Sequence, residues 1–155
     1  MRIRILAVGE KMPGWVETAS NDYLKRFPRD FSVVLKSVAA AGRRTGGKPK
    51  LACEQEGKSL LSAVADRDYV IALDVLGRQW STEDLAEQVS SWRMEGKNVS
   101  LLIGGPEGLA SECLDRADQR WSLSKLTLPH PMVRVLLLEQ LYRAWSILNS
   151  HPYHR

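Results

Sequence analysis

The stretch V-S-L-L-I-G-G-P-E-G, residues 99–108, decides the fold class. Its first half, Val99–Ile103, reads as a buried strand, which is typical of the interior of a parallel sheet. Glycines follow the strand at once, and in open α/β sheets ligands bind outside the edge where strands end. The stretch therefore predicts an α/β protein with a ligand site beside Gly104, although a tight turn that needs glycine explains the same residues.

Strand-like and helical patterns alternate on both sides of this stretch, and the alternation predicts a single-domain, mainly parallel sheet flanked by helices over residues 1–155. The helical patterns have apolar residues three or four apart, as at Trp15, Ala19, Tyr23 and Phe27. We predict strands at residues 2–8, 31–38, 69–74, 99–103 and 121–123, and helices at residues 15–27, 49–64, 81–95, 110–117 and 132–149.

Composition favours a folded cytoplasmic protein, because 44% of the residues are hydrophobic and 26% are charged. No apolar run reaches the roughly 18 residues of a membrane span, and the first residues lack the pattern of a signal peptide. Cys53 and Cys113 have no zinc-site spacing, so we expect two reduced thiols and no metal.

Positive charge is concentrated at the start of the chain. Residues 1–50 carry eleven Lys and Arg against four Asp and Glu, and residues 39–50 combine four of these cations with three glycines. We expect a mobile basic loop there and a polyanionic partner such as RNA, with no membrane. A merely solvated basic end is the alternative.

Two further segments carry chemistry-bearing residues. Residues 121–131, W-S-L-S-K-L-T-L-P-H-P, place backbone polar groups in an apolar surround, which suits an adenine ring; a buried edge strand stopped by proline is the alternative. Residues 151–155, H-P-Y-H-R, concentrate acid–base and phosphate-binding side chains. A frayed terminus is the ordinary expectation for such a tail, and Pro152 argues against a helical metal site.

The helix predicted at residues 132–149 has twelve apolar positions. A helix that buries one face needs only three or four per two turns. We therefore expect two covered faces, one against the sheet and one against a second subunit.

Taken together, these motifs resemble a known family. L-L-I-G-G-P-E-G, W-S-L-S-K-L-T-L-P-H-P, the helix V-R-V-L-L-L-E-Q-L-Y-R-A-W-S-I and the ending H-P-Y-H-R are similar to the SPOUT class of knotted, S-adenosylmethionine-dependent RNA methyltransferases. L-A-V-G-E-K-M-P-G-W-V and Y-L-K-R-F-P match as well, so the resemblance covers the whole chain.

The resemblance implies a C-terminal trefoil knot, although folds are almost always unknotted. It implies a homodimer with the site at the subunit boundary, and methylation of N3 of a pseudouridine in a hairpin loop of large-subunit (23S) ribosomal RNA, with the ribosome as the expected substrate. The S-adenosyl-L-methionine pocket that it implies consists of Leu73, Gly104, Leu123, Ser124, Lys125, Leu126, Thr127 and Leu128.

The catalytic candidates are His154 and His130 as the general base, Arg155 for a phosphate or a developing negative charge, and Tyr153 for stacking on a base. We rank the tail above His130, since it can close over the site after RNA arrives. A knotted transfer RNA methyltransferase and a non-catalytic ribosome-binding factor are the alternatives. The first commonly carries an added RNA-binding domain, whereas for the second the basic first fifty residues would suffice.

Overall fold

A computed structural model of the protein describes residues 1–42 and 48–155. Its five strands are all parallel and form one sheet in the order β2-β1-β4-β3-β5. The predicted parallel α/β sheet flanked by helices is therefore confirmed. The elements are β1 (Arg2–Val8), α1 (Gly14–Arg26), β2 (Ser32–Val38), α2 (Pro49–Ala63), β3 (Tyr69–Gln79), α3 (Thr82–Met94), β4 (Val99–Ile103), α4 (Ser111–Arg116), β5 (Gln119–Ser122), α5 (His130–Leu148) and a C-terminal 3₁₀ turn (Pro152–His154).

Helices cover both faces of the sheet, and the strands alternate their side chains between them. In β1, Ile3 and Ile5 face the core cluster that also contains α3 and α5, whereas Leu6 joins the cluster that contains Leu60 of α2 and Cys113 of α4. All five residues of β4 are buried, and burial on both faces explains why four of them are apolar.

Strand β3 runs to Gln79, five residues beyond the predicted end at residue 74. Its pairing with β5 shifts register between Leu73 and Arg78. Gly77 permits the close approach of the two strands, because a Cβ there would lie 2.6 Å from the backbone of Arg120. This cross-strand contact has no local signal in the sequence.

The prediction of which face of α1 is buried is wrong at the start of the helix. Trp15 is 54% exposed, whereas Val16 and Ser20 are buried. The predicted capping box of α3 is confirmed, since the Ser81 hydroxyl accepts from the Asp84 amide and the Asp84 carboxylate accepts from the Ser81 amide.

Helix α5 begins at His130, two residues before the predicted start. It packs against both α1 and α3 as well as the sheet, and Leu137, Leu138 and Leu141 are fully buried within one subunit. Neighbouring helices of the same chain therefore account for much of the apolar excess that we attributed to a second subunit.

The basic loop predicted at residues 39–50 falls partly on residues 43–47, which lie outside the described residues. Helix α2 begins at Pro49 as predicted, with the proline in its first turn. In the described parts of the chain, no helix is both long and apolar enough to cross a membrane.

Candidate functional site

A cavity of about 350 Å³ opens at the carboxyl edge of the sheet. Three segments surround it: the end of β3, the glycine-rich loop after β4, and the segment between β5 and α5. Its lining residues are Leu73, Asp74, Val75, Ile103, Gly104, Gly105, Pro106, Gly108, Leu109, Trp121, Ser122, Leu123, Ser124, Leu126, Thr127, Leu128, Pro129, His130 and Val133.

The structure brings together all but one of the residues predicted for the cofactor. Lys125 is the exception: it is exposed and does not line the cavity. Its side chain lies outside the cavity because the backbone makes a turn here. In this turn the Ser124 hydroxyl accepts a hydrogen bond from the amide of Leu126 at 3.0 Å. His130 also lines the cavity, from the first position of α5.

Sequence reasoning missed several lining residues, among them Asp74, Trp121 and Val133. Asp74 had a usable signal, since it directly follows Leu73 at the end of an apolar strand. Val133 had none, because its place depends on how α5 packs back against the sheet.

The buried edge strand that we considered as an alternative for residues 121–131 is present only at Trp121 and Ser122, which end β5. The following residues, between β5 and α5, have no strand pairing, and Lys125, Leu126 and Thr127 are exposed. The Ser122 hydroxyl donates to the carbonyl of Ser124 at 2.8 Å, which starts a local turn. The segment therefore presents backbone polar groups and apolar side chains to the cavity, as an adenine site requires.

Gly104 is required by the turn itself. A Cβ at this position would lie 2.4 Å from the backbone of Gly108 and 2.7 Å from the amide of Leu109. The amide of Gly108 donates to the carbonyl of Gly105 at 2.9 Å, so the loop closes on itself. The geometry therefore favours the interpretation that the turn requires glycine here over the interpretation that Gly104 leaves room for a ligand.

The cavity fits an adenosine-type cofactor by size and chemistry. Ligand pockets occupy about 300–1,000 Å³ and are mostly apolar with a few polar groups, and this lining is mainly aliphatic. Trp121 adds a buried indole N–H that finds no acceptor among residues 1–42 and 48–155. A bound ligand that accepts this hydrogen bond would remove the cost of the unpaired donor.

Arg134 anchors the start of α5 beside the cavity. Its buried guanidinium donates to the carbonyl of Val8 at 2.9 Å, to that of Gly9 at 2.6 Å and to the hydroxyl of Ser37 at 2.9 Å. Burial lowers the pKa of this guanidinium. The contacts fix the first turn of α5, and with it His130, against the ends of β1 and β2.

The C-terminal tail is docked on α5, so the expectation of a frayed end is wrong. The Tyr153 hydroxyl donates to Glu139 at 2.6 Å, and Nδ1 of His154 lies 2.7 Å from the hydroxyl of Ser146. The amide of His151 also donates to the carbonyl of Ser146 at 2.9 Å. These contacts hold the tail against α5.

Glu139 is the centre of the tail contacts. Burial by itself raises the pKa of this carboxyl, but hydrogen bonds from Tyr153, Tyr23 and Arg143 outweigh it and lower the pKa. Arg143 donates through Nε and lies one turn further along α5. The docked tail therefore favours the ionised carboxylate.

His154 lies at a second cavity of about 300 Å³, together with Thr82, Glu83, Arg143 and Ile147. Neither Tyr153 nor His154 lines the first cavity, and neither does Arg155. Sixteen residues of helix separate His130 from Ser146, which is about 24 Å at 1.5 Å per residue. Within one chain, His154 is therefore held near the end of α5 opposite the first cavity, whereas Tyr153 contacts Glu139 at the middle of the helix.

Comparison with known proteins decides the family. A family described as predicted SPOUT methyltransferase matches residues 1–154. The chain belongs to the SPOUT methyltransferase family. A protein of Marinomonas sp. (strain MWYL1), named ribosomal RNA large subunit methyltransferase H, is 54% identical over 155 residues that cover all of both chains. A protein of the same name from Hahella chejuensis is also 54% identical and covers 100% of this chain and 99% of its own.

A solved structure supports the SPOUT assignment at the level of the fold. It is described as a probable methylase family protein from Haemophilus influenzae, and it matches 99% of this chain and 70% of its own with a TM-score of 0.57. The two sequences are 14% identical, so the similarity concerns the fold alone. The resemblance inferred from the sequence motifs is confirmed by the family match.

Proposed function

We propose that this protein transfers a methyl group from S-adenosyl-L-methionine to N3 of a pseudouridine in a hairpin loop of 23S ribosomal RNA, in the cytoplasm and on the ribosome. The observation that carries the proposal is the cavity at the carboxyl edge of the sheet. It is lined by seven of the eight residues that we expected to bind the cofactor. The full-length relatives named for ribosomal RNA methylation support the choice of substrate. We take residues 1–155 as one domain with the knotted path of the family.

Leu73, Leu123 and Leu128 would enclose the adenine, and the serine and threonine of the 123–128 segment would supply polar contacts. Bound there, the cofactor supplies a sulfonium methyl group that is already electrophilic. The protein's main task is then to hold the reactants in line, since alignment contributes about 7–11 kcal/mol in well-oriented reactions. Removal of the N3 proton by a positioned base adds about 10²–10⁴-fold in rate.

The tail supplies the proton chemistry in this proposal. Nδ1 of His154 is hydrogen-bonded to the hydroxyl of Ser146. In the tautomer that carries the proton on Nδ1, the imidazole donates to this serine. Nε2 is then free to accept a proton. Arg155 is exposed, and its positive charge would bind RNA or stabilise a developing oxyanion. Tyr153 serves as an anchor, because its hydroxyl is engaged by Glu139 and its ring packs edge-on against Tyr142 at 4.6 Å.

The separation of His154 from the cavity is our reason for proposing a homodimer. Ser146, which holds His154, lies about 24 Å along α5 from His130, so in this proposal His154 acts at the cavity of a second copy. Met132, Leu136 and Ile147 support this, since they lie on one side of α5 and remain half-buried or exposed in the single chain. His130 would then contact the cofactor side of the site, and the partner's tail the RNA side.

The test is methylation of ribosomal RNA by the purified protein. Ribosomes, large subunits and free ribosomal RNA from cells that lack the gene are incubated with isotopically labelled S-adenosylmethionine, and the methyl group is mapped by mass spectrometry of RNA fragments. We expect one labelled pseudouridine in a hairpin loop of 23S RNA. Restoring the gene should restore the same methyl group in cells.

Three results would contradict the proposal in different ways. Labelling of purified transfer RNA, added as a further substrate, without labelling of ribosomal RNA would identify the protein as a transfer RNA methyltransferase. Cofactor binding without transfer to any RNA would leave an RNA-binding factor that retains the pocket. Absence of cofactor binding by calorimetry would remove the enzyme assignment altogether.

A further inference from the structure

Asp74 contributes a carboxylate to the lining of the cavity at the sheet edge. Most of the other lining residues are aliphatic, glycine or proline, and the remaining ones are three hydroxyl-bearing residues, Trp121 and His130. Among the described residues that line the cavity, Asp74 is the only acidic one, and no lysine or arginine lines it. The cavity therefore offers one position for a negative charge in a mainly apolar surround.

The Asp74 carboxylate is oriented by its own strand. Its Oδ1 accepts a hydrogen bond from the amide of Leu76, two residues further along β3, at 3.3 Å. Within residues 1–42 and 48–155 it forms no ion pair. Arg134, the buried cation beside the cavity, donates instead to two backbone carbonyls and the hydroxyl of Ser37. The carboxylate thus has no cationic partner in the described parts of the chain.

The charge of the cofactor changes when its methyl group leaves. S-adenosylmethionine has a sulfonium, an ammonium and a carboxylate, so it is a net cation near neutral pH. The product S-adenosylhomocysteine has a thioether in place of the sulfonium and no net charge. Either ligand displaces water from the cavity, and a carboxylate that loses water is destabilised unless an opposite charge compensates it. The methyl donor can supply that charge to Asp74, whereas the product cannot.

We propose that Asp74 is the counter-ion of the sulfonium and makes the cavity prefer the methyl donor to the product. An apolar cavity screens charge less than water does, which strengthens the attraction. In the transfer, the deprotonated N3 forms a bond to the methyl carbon, and the electron pair of the carbon–sulfur bond stays on sulfur. The attraction to Asp74 is then lost, which favours replacement of the product by new donor. This inference rests on the proposed function and adds the residue that discriminates between the two cofactor forms.

Calorimetry of ligand binding tests the proposal without a methyltransferase assay. Asp74→Asn keeps the size of the side chain and an oxygen that can accept from the amide of Leu76, but it removes the charge. The variant should bind S-adenosylmethionine about tenfold more weakly, as for the loss of one charge pair in a partly desolvated site. Its affinity for S-adenosylhomocysteine should stay within twofold of the parent's. Unchanged affinity for the donor, or an equal loss for both ligands, overturns the proposal.

Glu107→Gln is the matched control. Glu107 belongs to the glycine-rich loop after β4, but it is exposed and does not line the cavity. Both affinities of this variant should match those of the parent. A loss of donor preference as large as that of Asp74→Asn would mean that the net charge of the protein sets the preference, which rejects the specific role of Asp74.

A third ligand separates the effect of charge from that of the methyl group. An analogue that carries an ammonium group on carbon in place of the methylsulfonium keeps the positive charge and has no methyl group to transfer. Its affinity should also fall about tenfold in Asp74→Asn. If the analogue binds parent and variant equally, Asp74 does not respond to the positive charge, and the proposal fails.

Asp74 also takes part in the turn at the end of β3, so the unfolding temperature of each variant is measured. If Asp74→Asn does not fold, Asp74→Ser provides a neutral hydroxyl that can accept from Leu76 and should lose the donor preference in the same way. A preference that persists in the folded neutral variant overturns the role of Asp74 and leaves the cofactor site intact. Failure of the parent protein to bind any of the three ligands would instead reject the proposed cofactor site, and the role of Asp74 with it.

Discussion

His130 and His154 lie at opposite ends of helix α5. His130 is its first residue and lines the cavity at the sheet edge, whereas His154 contacts Ser146, about 24 Å further along the axis. The two histidines therefore cannot act on one target atom from a single chain. If both serve one reaction, two chains must meet, with the tail of one beside the cavity of the other.

Blocking the cavity should abolish cofactor binding without unfolding the protein. Thr127→Trp places an indole in the lining at an exposed position, and we expect the affinity for S-adenosylmethionine to fall at least tenfold because the ring occupies ligand space. Lys125→Trp, two residues away but outside the lining, is the control and should bind normally. Calorimetry measures both, and equal affinities would place the cofactor elsewhere.

Substituting Gly104 should act on stability. Gly104→Ala brings a Cβ to 2.4 Å from the backbone of Gly108, and such overpacking costs about 1–3 kcal/mol of unfolding free energy. Gly14→Ala, with open space around its Cβ position, should be nearly neutral. Denaturant unfolding compares the two variants, and unchanged stability of Gly104→Ala would show that the loop has another conformation.

Mixed dimers test whether the tail crosses to its partner. One chain carries Thr127→Trp and the other lacks residues 153–155, so each homodimer should lose methyl transfer by about 10²-fold or more, as when a positioned acid–base group is removed. Partial activity of the mixed dimer is expected, because one intact cavity then meets one intact tail. Continued inactivity would indicate that each tail serves its own chain.

Tail docking should depend on pH through Glu139. The pKa of this carboxyl is lowered in the folded protein from its usual 4.5, so its contribution is complete above that value and is lost as the pH falls through the lowered pKa. Amide relaxation of Tyr153 and Arg155 by NMR should show a rigid tail at pH 6 and a mobile one once the pH has fallen below the lowered pKa. Glu139→Gln should give a mobile tail already at pH 6; a tail of Glu139→Gln as rigid as the parent's at that pH would exclude this carboxylate as the anchor.

The two cysteines should differ in reactivity. Burial raises the pKa of the Cys113 thiol to about 11, and the residue is completely buried, whereas Cys53 is half-buried. Alkylation at pH 8 should label Cys53 in the native protein and Cys113 only after unfolding, because the thiolate is the reactive form. Peptide mass spectrometry distinguishes them, and rapid native labelling of Cys113 would show that the packing of α4 opens readily.

The sequence by itself determined the parallel α/β class and brought seven of the eight residues predicted for the cofactor to one cavity. Both follow from short-range patterns: Val99–Ile103 is mostly apolar because it is buried on two faces, and Leu73, Gly104 and the 123–128 segment follow strands whose ends meet at one edge. The motifs also indicated the family. The sequence did not show that the side chain of Lys125 lies outside the cavity, because which side chains face inward depends on the turn at Ser124.

Tertiary structure alone decided the place of the tail. Its anchors are Glu139, which contacts Tyr153, and Ser146, which contacts His151 and His154, and neither anchor carries a local signal for these contacts. The burial of α5 was likewise misjudged, because an apolar surplus does not reveal whether a helix of the same chain or another subunit covers it. Local patterns report which surfaces are apolar and where strands end, whereas the partners of those surfaces are selected by packing across the whole chain.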